Sequence, residues 1–434
     1  MDRLTPVRLA KLSPQARRSL IDRSKQDIAD IYAQMREIVA DVAKRGDAVL
    51  CEHYRKLREG VKATDFIVTP EETEAAIRAL DPKVFEALKV AAANIEKFHR
   101  AELEREMWQM EVQPGVIAGR LYRCLDSAGC YVPGGKAAYP SSVLMTVIPA
   151  KVAGVGKVIA CTPPGPNLSA HPATIAAAKI AGADLLLKVG GPWAVAAMAY
   201  GTGVCPKVDK IVGPGNKYVT AAKMIVYGEV DIDSPAGPSE ALILADETAQ
   251  ADLIALDLLS QVEHDEDAAA VLITTSAALA KEVATLIRKM LPKLPRREIM
   301  EAALAKHSAL IVADTMDEAI DFTNEYAAEH LEIVTNDVFA TLPRIKHAGS
   351  IFMGPWAPVP VGDYASGTNH VLPTGACAKM FSGLSVDDFI KKPTYQYLTK
   401  EGLASLKDTV ITLAEAEGLH VHAEAVRARF RERK

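Results

Sequence analysis

No Cys-x-x-Cys pair occurs in this chain; its six cysteines, Cys51, Cys124, Cys130, Cys161, Cys205 and Cys377, are scattered. That excludes a disulfide framework and a cysteine-cluster zinc site, and it points to reduced thiols in a cytoplasm. No apolar run approaches the roughly 18 to 20 residues that cross a bilayer. The opening MDRLTPVRLAKL also lacks the apolar core of a signal peptide. Excess charge is missing too: a net charge of −5 over 434 residues offers no basic surface for nucleic-acid phosphates. There is no internal repeat and no low-complexity tract. What remains is 49% apolar residues, enough for a globular cytoplasmic protein of two or three domains, without membrane or nucleic-acid partners.

Residues 1 to about 24 read as a basic arm, with Arg17, Arg18 and Arg23 close together. From Lys25 to about Arg105 the period is helical. IADIYAQMREIVADVAKRG repeats apolar residues at i, i+3, i+4 and i+7 before Gly46 stops it, and Thr69 is placed to cap the next helix. Beyond Pro114 short β-rich runs (VIAGRLYRCLDSAGCYV, KVIACTPPG, DLLLKVGG, KIVGPGN) alternate with alanine-rich helices, which means βαβ units on a parallel sheet. A second series follows in ALILADE, AVLITTS, SALIVADT, LEIVTND and SIFMG. The expected class is α/β, with two Rossmann-like doubly wound domains lacking a standard G-x-G-x-x-G, plus helical N- and C-terminal arms. The expected boundaries are an arm at 1–24, a discontinuous first domain at 25–131 and 240–383, a second domain at 132–239, and a C-terminal helical arm at 384–434. The N-terminal helices are expected to pack on the second strand series.

Chemistry-bearing residues gather in four places. GDYASGTNHVLPTG (362–375) carries Asp363 and His370 in a segment that glycine and proline keep from being a long helix or a central strand. SQVEHDED puts Gln261 and His264 at i and i+3, on one helix face, followed by an acidic cluster at a helix C-terminus. A solvated acidic cap is the plainer reading there; a metal needs further ligands, for which Asp363, His370, His420 and His422 are candidates. NEYAAEHLEIV sets Glu329 beside His330 at a helix-to-strand turn, either a general base with a tuning carboxylate or an ordinary helix end. The Gly-rich turns YVPGGKAAYPSS, VGGPW and VGPGNKYV could offer N–H groups to phosphates, and PAGPSE (235–240) exposes Ser239. Cys130 is the one thiol in a turn suited to covalent catalysis, but no basic neighbour is evident to activate it.

YVPGG, KVDKIVGPGN, AGPSE, LLSQVEH, AAEHLEI, GDYASGTNHVLPT and EGLxxH, in this order from about Lys25 to Arg427, resemble the histidinol dehydrogenase family. The resemblance implies a Zn- and NAD-dependent four-electron oxidation of a small primary alcohol to a carboxylate through an aldehyde. It implies one Zn²⁺ per subunit on Gln261, His264 and Asp363, with His422 supplied by the other subunit of a homodimer whose sites are shared. His422 is preferred to His420 for its spacing from Glu417. His330 would be the general base and Glu329 would activate water. Ser239, His370 and Glu417 would contact the substrate, and Tyr131, Trp193 and Asn216 stand at NAD-binding positions.

Two positions depart from the family pattern. Trp193 stands where glutamine is usual, and Val359 where a glutamate is usual shortly before the glycine. Loss of an acid there suits a paralogue acting on another small alcohol, such as the sulfopropanediol dehydrogenases of this family, which oxidise 2,3-dihydroxypropane-1-sulfonate; KKPTYQ (391–396) leans the same way. A catalytically silent binding or scaffold homologue is the alternative from another class.

Overall fold

The computed structural model describes residues 4–23, 29–103, 106–134, 138–235 and 237–431. They form two compact units, Met1–Glu102 with Leu125–Phe389, and Leu103–Cys124 with Ile390–Lys434. The expected turn YVPGGKAAYPSS loses its centre, 135–137, to the undescribed residues.

The larger unit holds two parallel sheets. One runs in the order Leu185–Leu187, Lys157–Cys161, Ser127–Tyr131, Lys210–Val212, Asp231–Ile232. The other runs Val7–Arg8, Ala309–Val312, Ala269–Thr274, Glu240–Ala245, His330–Val334, Ser350–Met353. EALILA and AAVLIT are apolar almost throughout because helices cover both faces and bury every residue. Starting each sheet from its first central strand, both follow the same order, 3-2-1-4-5, so a topology recurs that no sequence repeat announces.

Local signals place the helices. Thr69 Oγ1 accepts the Glu72 N–H and Glu72 Oε2 accepts the Thr69 N–H, a capping box that starts Pro70–Ala79. Helix Ala29–Arg45 ends at Gly46, where φ is +56°. Their packing differs from expectation. Val39, Val42 and Leu50 share a core with Ile159, Leu187 and Ile211, and Leu88 and Ile95 share one with Val143 and Ile175. The N-terminal helices therefore cover the first sheet together with its own helices, while the second shares its cores with its own helices and with Leu4, Leu9 and Leu20.

The N-terminal segment is no solvated arm. Leu4, Leu9 and Leu20 are buried, Val7–Arg8 extends the second sheet, and Arg23 is buried. In the smaller unit, Met107–Gln113 and Val116–Leu121 form an antiparallel sheet with Thr394–Leu398, followed by helices Lys400–Ala416 and His420–Arg427. Residues 384–398, read as helical, are thus short 3-10 and strand segments. The strand read over VIAGRLYRCLDSAGCYV is broken into three, the last of which, Ser127–Tyr131, is the central strand of the first sheet. No described helix is long and apolar enough to cross a membrane.

Candidate active site

Strand order fixes where a site falls. In the first sheet the order reverses between Ser127–Tyr131 and Lys210–Val212, and the turns leaving their carboxyl ends, at Pro133 and Pro214–Lys217, line a cavity of about 320 Å³. The opposite wall comes from the second sheet, but from the amino ends of its strands. Glu240–Ala245 and His330–Val334 pair with Ala241 opposite His330, which sets Ser239 and Glu240 beside Glu329 and His330. The cavity thus meets the carboxyl ends of the strands in one sheet and the amino ends in the other.

The helix-to-strand turn behaves as its sequence suggests. Helix Met316–Tyr326 ends at Ala327 in the left-handed region (φ 50°), and the chain enters the strand at His330. Glu329 Oε2 accepts the Ser239 hydroxyl at 2.8 Å and the Glu240 N–H at 2.7 Å. His330 Nδ1 lies 3.1 Å from the Glu240 carbonyl. A carbonyl only accepts, so Nδ1 carries a proton and the lone pair of the neutral ring is on Nε2. That Nε2 is buried, has no hydrogen-bond partner, and stands 3.6 Å from Asp363 Oδ1.

The electrostatics couple these groups. Burial pushes the Glu329 carboxyl up to about 7, against the pull of His330. Burial pushes His330 down, but Glu329 and Asp363 outweigh it and raise the imidazole to about 9. Burial raises Asp363 as well, yet His330, His370 and His264 hold it below the usual carboxylate range. With this balance His330 is an imidazolium at neutral pH; a cation that took up the charge of Asp363 would free Nε2 to act as a base.

Asp363 sits in the short helix Val359–Tyr364, and the following loop folds back so that His370 Nδ1 donates to the Asp363 carbonyl at 2.9 Å. His370 Nε2 lies 3.2 Å from Ser142 Oγ, a partner the sequence did not single out. Gln261 closes helix Ala251–Val262, whereas His264 lies beyond the helix end and is exposed, so the two do not share a helix face. The acidic cluster is answered by basic side chains: Arg296 donates to the His264 carbonyl and Lys306 pairs with Asp267.

Gln261 gives the test of fit for a metal. Its Nε2 donates to Ser239 Oγ at 2.9 Å, which leaves Oε1 buried with no partner. Buried polar atoms are rarely left so, and an oxygen of this kind suits a cation. Among the described residues no three of His, Cys, Asp and Glu converge as a ligand group. Asp363 and His264 interact electrostatically, and both line the cavity.

The other expected site residues fall elsewhere. Asn216 lines the cavity, and its Oδ1 caps helix Lys217–Val226 by accepting the N–H groups of Tyr218 and Val219. Gly213, at φ +121°, must be glycine, since a Cβ there would lie 2.1 Å from the Tyr131 carbonyl oxygen. Tyr131 is buried, its hydroxyl accepting the Gly191 N–H, and Trp193 stacks on His53 at 3.5 Å; neither lines this cavity. Glu417 and His422 belong to the smaller unit, where both are exposed. Cys130 is fully buried in its strand and burial pushes its thiol up to about 12, which removes it as a nucleophile.

Val359 has an unexpected neighbour. Its N–H donates to Glu332 Oε1 at 3.0 Å, and Glu332 is in turn hydrogen-bonded to Asp257. A carboxylate therefore stands against position 359 after all, supplied by the strand that carries His330. Burial raises Glu332 to about 8 and Asp257 to about 6, so the pair shares a proton at neutral pH. Because both folded values lie above the ordinary ones, the stability this pair contributes is full below the usual carboxylate range and is lost as pH rises through about 8. Glu332→Gln keeps both hydrogen bonds without the charge; its melting temperature is expected to gain on that of the parent as pH goes from 5 to 9. An equal difference at both pH values would contradict the shared proton.

A buried imidazole with one committed nitrogen beside a carboxylate, on an α/β scaffold, is an arrangement suited to proton transfer. The model of the histidinol dehydrogenase family matches residues 21–430. Relatives named histidinol dehydrogenase include one from Methanothermobacter thermautotrophicus, 52% identical over 95% of this chain and 96% of its own length. Another, from Methanocaldococcus jannaschii, is 50% identical over 98% of each chain. The crystal structure of histidinol dehydrogenase from Elizabethkingia anophelis superposes with a TM-score of 0.92 over 96% of both chains at 39% identity. The chain belongs to the histidinol dehydrogenase family, a family of oxidoreductases acting on CH–OH groups.

Proposed function

We propose that this protein oxidises L-histidinol to L-histidine in two steps, using two NAD⁺ and one zinc ion per site. The observation that carries the reading is His330, whose Nδ1–H is committed to the Glu240 carbonyl while Nε2 faces the cavity unpartnered. Zinc would be held by Gln261, His264 and Asp363, with His422 of the partner subunit as the fourth ligand; bound there it would polarise the alcohol oxygen, and NAD⁺ would supply the hydride acceptor. His330 Nε2 takes the hydroxyl proton as the carbinol carbon loses hydride, giving an aldehyde. Glu329, held by Ser239 and the Glu240 N–H, directs a water onto that carbonyl and takes its proton. Protonated His330 returns its proton to the carbonyl oxygen, which completes the gem-diol and frees Nε2. His330 then deprotonates the gem-diol as the second hydride leaves, and the carboxylate results. Ser239 and His370, with Glu417 of the partner subunit, would orient the substrate, and Asn216 lines the nucleotide side of the pocket, whereas Tyr131 and Trp193 stand outside this cavity. A homodimer fits the exposed apolar residues of the smaller unit, Trp108, Met110, Val112, Leu413 and Val421.

A second reading, oxidation of 2,3-dihydroxypropane-1-sulfonate, drew on the missing acid at Val359. The Glu332 carboxylate beside that residue weakens its basis, and the names of the relatives support histidinol. Parallel assays of zinc-loaded protein with the two substrates separate them: NADH from histidinol alone is expected, NADH from the sulfonate alone would transfer the assignment, and silence with both would favour a binding protein.

A further inference from the structure

Beneath the cavity lies a buried ion pair that the mechanism above does not use. Arg23 Nη2 donates to Glu240 Oε1 at 2.5 Å, with both side chains fully buried. The same guanidinium donates to the Tyr326 carbonyl at 3.1 Å and lies 3.2 Å from the centre of the Tyr326 ring. Glu240 is wrapped around the catalytic pair. Its N–H donates to Glu329 Oε2, its carbonyl accepts the His330 Nδ1–H, and its Oε1 accepts the Glu329 N–H at 3.3 Å and the Gly375 N–H at 3.2 Å. The arrangement is poor as a stabilising device. Arg23 Nε and the Tyr326 hydroxyl are buried without partners, and a buried ion pair often holds a fold no better than apolar residues of the same volume.

We infer that Arg23 and Glu240 are positioning residues that set the place and the charge state of Glu329. The inference rests on the reading of Glu329 as the group that activates water. The groups facing its carboxylate are His330 on its own strand, Ser239 and Glu240 on the neighbouring one, and Arg23 behind Glu240. The Glu240 charge opposes ionisation of Glu329, and Arg23 is the cation that offsets it. Removing one member of the pair exposes Glu329 to the other, so the two single variants must act in opposite directions.

The test is the pH dependence of kcat with histidinol in Arg23→Met, Glu240→Gln and the double variant, beside their melting temperatures. In Arg23→Met the bare Glu240 charge is expected to move the acid limb up by about one unit. In Glu240→Gln, which keeps an oxygen for the Glu329 N–H, the limb is expected to move down by a similar amount. The double variant should return the limb to near the parent value and recover most of the lost melting temperature, with KM little changed throughout. If Arg23→Met does not fold, the downward shift in Glu240→Gln and the return in the double variant carry the test. Shifts of the same sign, or lower melting temperatures with an unmoved limb, would overturn the inference while leaving the proposed activity standing. An inactive parent protein would instead overturn the activity, and this inference with it.

Discussion

His330→Asn is expected to lower kcat by a factor on the order of a hundred to ten thousand, the usual worth of a positioned general base. Asparagine can still donate through Nδ2 to the Glu240 carbonyl, so the strand and its Glu329 neighbour should stay in place. What it lacks is the lone pair that Nε2 turns toward the cavity. Zinc content should not fall, because the proposed donors are Gln261, His264, Asp363 and His422 of the partner subunit, and His330 is not among them. Measuring metal content beside turnover separates the roles. Normal turnover would remove His330 from the mechanism, and loss of zinc together with activity would make it a ligand.

The second large effect concerns the proposed sharing of each site between two subunits. His422→Asn and His330→Asn are each expected to be nearly inactive as homodimers. After unfolding and refolding an equal mixture, half of the dimers are mixed, and each mixed dimer has one site built from an intact His330 and an intact His422. About a quarter of the parent activity should return, given a two-fold dimer with exchanged arms. A mixture as inactive as its components would mean that each chain completes its own site.

These expectations draw unequally on sequence and structure. The helix-to-strand turn at Glu329 and His330 was legible from NEYAAEHLEIV, although the sequence left a general base and an ordinary helix end equally open. The parallel strand pair that brings Ser239 to meet them was not legible. The strands themselves were legible as near-continuous apolar runs, which burial on both faces demands. Strand Met107–Gln113 was not, since nearly all of its residues are exposed and MWQMEVQ carries no burial pattern to read. Arg23 and Glu240 lie 217 residues apart, and a buried ion pair between such positions leaves no periodicity or spacing in the chain. Read alone, Arg23 belonged to a run of surface arginines. The shared helix face read for Gln261 and His264 does not form, because the helix stops before reaching His264. The side of the second sheet that lines the cavity also escaped the sequence, since strand order predicts the carboxyl ends and the amino ends stand there.

The most direct measurement of the central claim is the yield of NADH per L-histidinol in a reaction run to completion with zinc-loaded protein. The account predicts two NADH and one L-histidine for each histidinol consumed, because the same His330 Nε2 serves both oxidations and Glu329 supplies the water between them. One NADH with accumulation of the aldehyde would contradict it, leaving a two-electron alcohol dehydrogenase in which Glu329 directs no water.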